Sequence, residues 1–299
     1  MSVDQTAPQA APRTVKARRT VAQNVWRTLK KAPFSAWFGM IVIAIYIFVA
    51  LFAPWIAPYG EAEVVSQQPF ELWSWTHWFG TDQLGRDMFT RLLFGARNTL
   101  GIALATTLLA FAIGGGLGII ASIFRGWVDQ LLSRAVDALM AIPQLIFALI
   151  LLSIFGSSVR NLIIIIAVLD STRVFRLSRS VAMNVVVMDY VEAAKLRGEK
   201  LGWILFREVL PNIMPTMVAE FGLRFCFVFL TISALSFLGL GIQPPTADWG
   251  SMVRENATLI TYGDITPLIP AGAIALLTVA VNFVVDWFLH KTSGLRDEK

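Results

Sequence analysis

Residues 190–212 read YVEAAKLRGEKLGWILFREVLPN, a charged, Ala-rich piece set between long apolar runs. Asp189 stands where an N-cap is wanted and Glu192 follows three residues on, the pattern of a capping box. Gly198 is a stop for the helix VEAAKLR, because glycine readily takes the left-handed conformation that closes a helix. EKLGWILFREVL predicts a second helix that halts at Pro211, which has no N–H to continue it. Leu201, Ile204, Leu205 and Val209 recur at helical spacing and give that helix one apolar side. Ala193 and Ala194 are small enough to let another surface approach the backbone, with Glu192, Lys195 and Arg197 supplying charge around them. On the residues alone, this helix–turn–helix either docks a partner or packs only on its own domain.

What flanks the stretch decides the class of protein. Of 299 residues, 56% are hydrophobic and 15% charged, against roughly 25% charged in soluble domains. A run of about 20 apolar residues crosses the hydrocarbon core of a bilayer. Six such segments can be marked, over 34–57, 98–123, 136–155, 159–178, 214–240 and 269–290. The expectation is an all-α integral membrane protein with six transmembrane helices. Its membrane body spans 34–292, between a basic arm over 1–33 and a short tail over 293–299.

Orientation follows the placement of Lys and Arg, which concentrate on the cytoplasmic side. The arm over 1–33 carries seven Lys/Arg against one acid, and 171–212 carries seven against four. The outer loops reverse the balance, with three Arg against five acids over 59–97 and one against three over 241–268. Both termini and the 189–212 loop are therefore expected in the cytoplasm. Residues 1–20 read as disordered, the next fourteen as a short amphipathic helix on the inner surface, and no cleavable leader is recognised. The net charge of +5 is explained by this topology, so nucleic acid is not expected as a partner.

Chemistry-bearing motifs are few. Cys226 is alone in an apolar run, and His77 and His290 lie far apart, so neither a disulfide, a metal nor any other cofactor is expected. No G-x-x-x-x-G-K-[ST] loop occurs, so the chain is not expected to be an enzyme that hydrolyses ATP. Gly114, Gly115, Gly116 and Gly118 suit close helix–helix contact in a membrane. Pro143 predicts a kink inside the third span. Glu220 and Arg224, four residues apart in the fifth span, share one helix face, and they either line a path or pair to hold helices in register. Asp82, Arg86 and Asp87, with Gly85 beside them, suggest pairing in a water-exposed loop worth ~0–1 kcal/mol. Trp249, between Asp248 and Gly250, suggests an anchor at the membrane interface.

Glu192-Ala193-Ala194, then Gly198, Ile204 and Leu210-Pro211-Asn212, resemble the EAA loop of ABC importer permeases. FGTDQLGRDMFTRLLFGARNTL at 79–100 and LSFLGLGIQPPTADWGSMV at 235–253 resemble signatures of the C-type permease of the dipeptide/oligopeptide/nickel branch. LFAPWIAPYG at 51–60 and DALMAIPQLIFAL at 137–149 fit the same branch. The resemblance implies the six-helix fold of type I ABC importer permeases. It implies three kinds of partner besides the bilayer: a second, homologous permease, two cytoplasmic ATP-binding subunits, and an extracytoplasmic solute-binding protein. It further implies that the 189–212 helices, through Glu192, Ala193, Ala194, Lys195, Arg197, Gly198, Ile204, Leu210, Pro211 and Asn212, couple to the ATPase. Asp82, Gly85, Arg86, Asp87, Asp248, Trp249 and Gly250 are then structural sites or partner contacts in the outer loops. Di- and oligopeptides are the default substrate, with nickel chelates, opines and oligosaccharides as alternatives. An ion-coupled secondary transporter is a different class, disfavoured because no internal repeat is visible. The sequence departs from the branch at Ile232, where relatives often carry an acid, and at Asp170.

Overall fold

The computed structural model describes residue 30 and residues 32–292. The basic arm, its amphipathic helix and the tail over 293–299 lie almost wholly outside the described residues. Among the described residues the protein is all helical, and the only β-pairing is two isolated bridges in the first outer loop, Val64 with Arg86 and Thr81 with Asp87.

Helix α1 (Phe34–Ile56) begins after Pro33 and leaves Ile41, Ile45, Phe48, Leu51 and Trp55 exposed along its length, an apolar stripe. Helix α2 (Met88–Phe124) starts ten residues before the expected span. Its 37 residues reach about 55 Å at 1.5 Å per residue, longer than the roughly 30 Å hydrocarbon core, so part of the helix extends beyond it. Arg125 and Gly126 (φ 46° and 59°) then reverse the chain.

The third span is not a single kinked helix. Helices α3 (Gly126–Met140) and α4 (Gln144–Phe155) meet at 86° across Ala141-Ile142-Pro143. Proline disfavours the helical conformation of the residue before it, so Ile142 breaks the helix outright and Pro143 caps the next one. Asp129 pairs with Arg179, and Arg176 donates to Asp137 at 2.6 Å, which ties α3 to α5 (Val159–Val186). Helix α5 extends eight residues past its expected end and carries too much charge to be an apolar span by composition. Helices α1, α2, α7 (Leu201–Phe237) and α9 (Leu268–Thr292) are long and apolar enough to cross a membrane, and the bent α3–α4 pair makes a fifth crossing if it counts as one. Short helices α6 (Asp189–Leu196) and α8 (Trp249–Asn256) sit at the two ends of α7.

Contact between α2 and α5 is set by glycine. A Cβ at Gly114 would overlap the Ser171 carbonyl, and one at Gly118 would overlap the Ser178 hydroxyl and lie 2.7 Å from the Phe175 carbonyl. Ser178 Oγ donates to Gly114 O at 3.2 Å across the seam. Gly116, by contrast, faces open space. Overpacking a closed site costs about 1–3 kcal/mol. Gly118→Val should therefore lower the thermal midpoint of the purified chain in detergent, while Gly116→Val leaves it unchanged. Equal midpoints for the two variants would contradict the seam.

Candidate functional site

Three sites gather the polar residues of the molecule: an elbow before α7, a charge cluster between α5 and α7, and a network in the outer loops.

The elbow is α6 and the start of α7. Met188, not Asp189, is the N-cap, since its extended backbone (ψ 145°) turns the chain in, and its carbonyl accepts from Val191 N and Glu192 N. Asp189 and Glu192 instead sit in the first turn, where they oppose the positive end of the helix dipole. At the other end Gly198 N donates to Lys195 O at 2.9 Å and Glu199 N to Ala194 O at 3.2 Å, the paired bonds of a Schellman turn. Gly198 holds φ +78°, and no atom lies near enough to crowd a side chain there, so the need for glycine is purely conformational.

Val191 and Ala194 are fully buried and pack with Val186, Ile204, Val209 and Ile213. The expectation that both alanines face outward therefore holds for Ala193 only; Ala194 is one helical turn from Val191 and is consumed by the core. Glu192, Ala193, Lys195, Arg197 and Gly198 are exposed, and so is Leu196 at 84%. Leu196 escaped the sequence reading, although the inward pair 191/194 implies that 192, 193 and 196 point away.

Pro211 does not stop the second helix. Ile204–Val209 is π-helical, and Leu210 N donates to Leu205 O, five residues back. The wider turn carries the chain past the proline, and Asn212 Nδ2 donates to Glu208 O at 2.6 Å, adding a donor where the backbone ladder is thinned. The expected separate docking helix is thus the first turns of α7 itself. Ile204 is buried, Leu210 half-buried, and Pro211 and Asn212 are exposed.

Glu220 and Arg224 do pair, with Nε and Oε1 2.7 Å apart. Arg224 also lies 3.7 Å from Asp170 on α5 and stacks over the Phe227 ring at 4.7 Å. Arg173 comes within 3.9 Å of the same Asp170 oxygen. Asp170 is fully buried and neither of its oxygens accepts a hydrogen bond, so nearby charge alone compensates it.

The outer network reverses two expectations. Asp82, Arg86 and Asp87 are all buried rather than water-exposed. Asp82 accepts from the amides of Leu84 (2.8 Å) and Arg86 (3.0 Å), pairs with Arg86 Nε at 2.6 Å, and lies 3.3 Å from Arg91 Nε. Glu255, from α8, closes the square at 3.2 Å from Arg86 and 3.4 Å from Arg91. Asp87 caps α2, accepting from Thr90 N at 2.7 Å, and meets His77 Nδ1 at 3.2 Å. Gly85 (φ +71°) lies so close to the Ser66 carbonyl that no Cβ would fit.

Trp249 is not an interfacial anchor. It is buried, donates from Nε1 to Leu92 O at 3.0 Å, and packs edge-on against Tyr46 and Phe229, with Gly95 making room for its ring. Asp248 caps α8 through Ser251 N and accepts from Thr99 Oγ1, both at 2.9 Å. Burial pushes its carboxyl above the usual carboxylate range, against the pull of those hydrogen bonds. The two outer motifs are therefore one interlocked body, joined by Arg91, Thr99 and Glu255, which the sequence reading passed over. Among the described residues no group of His, Cys, Asp or Glu is arranged to hold a metal ion.

These features define a multi-pass helical membrane protein with an elbow at one end of one of its two longest apolar helices. Residues 114–291 match the family described as binding-protein-dependent transport system inner membrane component, and residues 20–71 match the N-terminal TM domain of oligopeptide transport permease C. The chain is 34% identical over 275 residues to the dipeptide transport system permease protein DppC of Alkalihalophilus pseudofirmus, covering 92% of this chain and 88% of that one. It is 32% identical to the glutathione transport system permease protein GsiD of Pectobacterium atrosepticum, over 94% of this chain and 91% of the relative. In fold it resembles the inward-facing MetNI methionine ABC transporter, with a TM-score of 0.54 and 15% identity over 67% of this chain and 97% of the other. The chain belongs to the binding-protein-dependent transport system inner membrane components, as an ABC importer permease of the peptide-permease branch, and it is a multi-pass protein of the bacterial inner membrane.

Removing one member of a buried ion pair costs about 3–5 kcal/mol because its partner is left uncompensated. Asp82→Ala leaves Arg86 and Arg91 with Glu255 as their one shared acid and should lower the thermal midpoint sharply in detergent. Asp248→Asn keeps an acceptor for Ser251 and should move it little, whereas Asp248→Ala loses the cap at about 1 kcal/mol. Asp82→Ala at the wild-type midpoint would show the network to be dispensable.

Proposed function

We propose that this chain is one of two related permeases in an importer for di- and oligopeptides, forming half of the path and receiving substrate from an extracytoplasmic binding protein. The importer carries two cytoplasmic ATP-binding subunits, and one of them docks on the elbow of this chain. The chain has six spans, counting α3–α4 as one and α5 as another, with both termini in the cytoplasm. The observation that carries the coupling role is the division of the elbow. Val191, Ala194, Ile204 and Val209 anchor it from within, while Glu192, Ala193, Lys195, Leu196, Arg197 and Gly198 stay exposed. The peptide assignment rests on similarity over nearly the whole chain to a permease named for dipeptide transport.

The mechanism is alternating access. Helix α7 runs unbroken from Leu201 to Phe237, so force applied at the elbow is delivered along one rod toward the outer network. Closure of the ATPase pair biases the equilibrium only through contacts that differ between the inward- and outward-facing states. Of the two roles left open for Glu220 and Arg224, burial favours holding α7 in register with α5; their side chains are only 18% and 12% exposed.

Two tests follow. Glu192→Lys and Ala193→Trp alter only the exposed face, so both should abolish ATPase co-purification and peptide uptake while leaving the thermal midpoint of the chain intact. Ala194→Trp instead should destabilise the chain itself. Full uptake by the first two variants would sink the coupling role. For topology, Lys195→Cys in a Cys226→Ser background should react with a membrane-impermeant maleimide only in inverted vesicles. Labelling in right-side-out vesicles would reverse the orientation.

A further inference from the structure

The first outer loop carries an aromatic display that neither the outer network nor the coupling role uses. Residues 71–79 read ELWSWTHWF. His77 N donates to Ser74 Oγ and Ser74 N to His77 O, both at 3.0 Å, so the tip of the loop is a closed turn. Trp75 rides on that tip at 96% exposure, with Leu72 at 76%, Trp78 at 57% and Trp73 at 49% beside it. A held turn presents these rings in fixed positions.

The charged members of the segment face the other way. His77 is turned inward to Asp87, and Glu71 accepts from Ser66 Oγ. The outward surface of 72–78 is therefore uncharged. Trp73 Nε1 donates to Thr266, but among the described residues no acceptor meets the indole N–H of Trp75 or Trp78. Rings that are apolar on their faces and wet at one edge suit the boundary between hydrocarbon and headgroups.

Position supplies the rest. Trp75 and Trp78 line a cavity of about 290 Å³ with Ile56 and Pro58, at the end of α1, and with Asp87, whose carboxylate is taken up by Thr90 N and His77. Helix α1 carries an exposed apolar stripe that ends in Trp55. The aromatic tip is thus continuous with the exposed apolar stripe of α1, at the end where that stripe stops.

We infer that the 72–78 turn is a membrane-interface anchor: Trp75 and Trp78 insert into the headgroup boundary of the leaflet around the end of α1. The occupant of this uncharged face is phospholipid. The inference rests on the protein being multi-pass in the membrane and is independent of the substrate and of the ATPase docking proposed above.

The test uses the full chain reconstituted with its partner subunits in nanodiscs. In a Cys226→Ser background, Trp75→Cys and Trp78→Cys carry a nitroxide, and Leu84→Cys, exposed elsewhere on the loop, serves as the aqueous reference. Labels at 75 and 78 should be relaxed more by oxygen, and less by a water-soluble nickel chelate, than the label at 84. Brominated phosphatidylcholine should quench the fluorescence of the unlabelled wild type by a larger fraction than that of the Trp75→Phe, Trp78→Phe double variant. Chelate accessibility at 75 and 78 equal to that at 84 would overturn the anchor, as would equal fractional quenching in the two proteins. So would a label open to the chelate that becomes protected only when the binding protein is added, which would make the face a protein dock.

Discussion

A helix inside hydrocarbon has no water to satisfy its carbonyls and amides, so it must complete its own ladder. Helix α7 meets that demand despite Pro211 near one end, by widening to i→i−5 bonds over Ile204–Val209 and borrowing the Asn212 amide. Everything else in the inner half depends on that continuity. Because the helix is not broken, the elbow residues and the mid-helix charges share one rigid element. Because the π-turn rotates the residues before it, Ile204 and Val209 both face the core that receives Val191 and Ala194.

The outer half obeys a different constraint, electrostatic rather than geometric. Two arginines and two acids are withdrawn from water together, and the cost of desolvating them is offset only while all four remain in place. Such a network binds the first outer loop, the start of α2 and α8 into one piece. Glycine at Gly85, Gly95 and Gly250 permits the close approaches that this body needs. The permease therefore has a stiff exterior, a continuous α7 and a small exposed elbow, joined through the glycine seam of α2 and α5.

The legible parts of this arrangement were those written locally. Apolar runs announced the spans α1, α2, α7 and α9, and the spacing of Glu220 and Arg224 announced their pairing. The turn at Gly198 needed only the rule that glycine accepts positive φ. What stayed hidden was written in contacts between distant segments. Asp82 looks like an exposed loop acid until Arg91 and Glu255, the latter 173 residues away, close around it. Trp249 looks like an interface residue until Gly95 opens a slot for its ring. Pro211 misled for a related reason: its missing donor is a fixed local fact, but whether a helix survives it depends on how the preceding turn winds. The break at Pro143 erred in the other direction: the helix already ends at Met140, and Pro143 caps the next one instead of kinking a single span.

The cluster between α5 and α7 has a further property. Asp170 and Glu220 stand against Arg173 and Arg224, so its formal charges sum to zero. Carrying one unbalanced charge across a membrane potential involves about 2.3 kcal/mol per 100 mV. A balanced group that moves as a unit is electrically silent. Movement of this cluster is then neither assisted nor opposed by the voltage across the membrane.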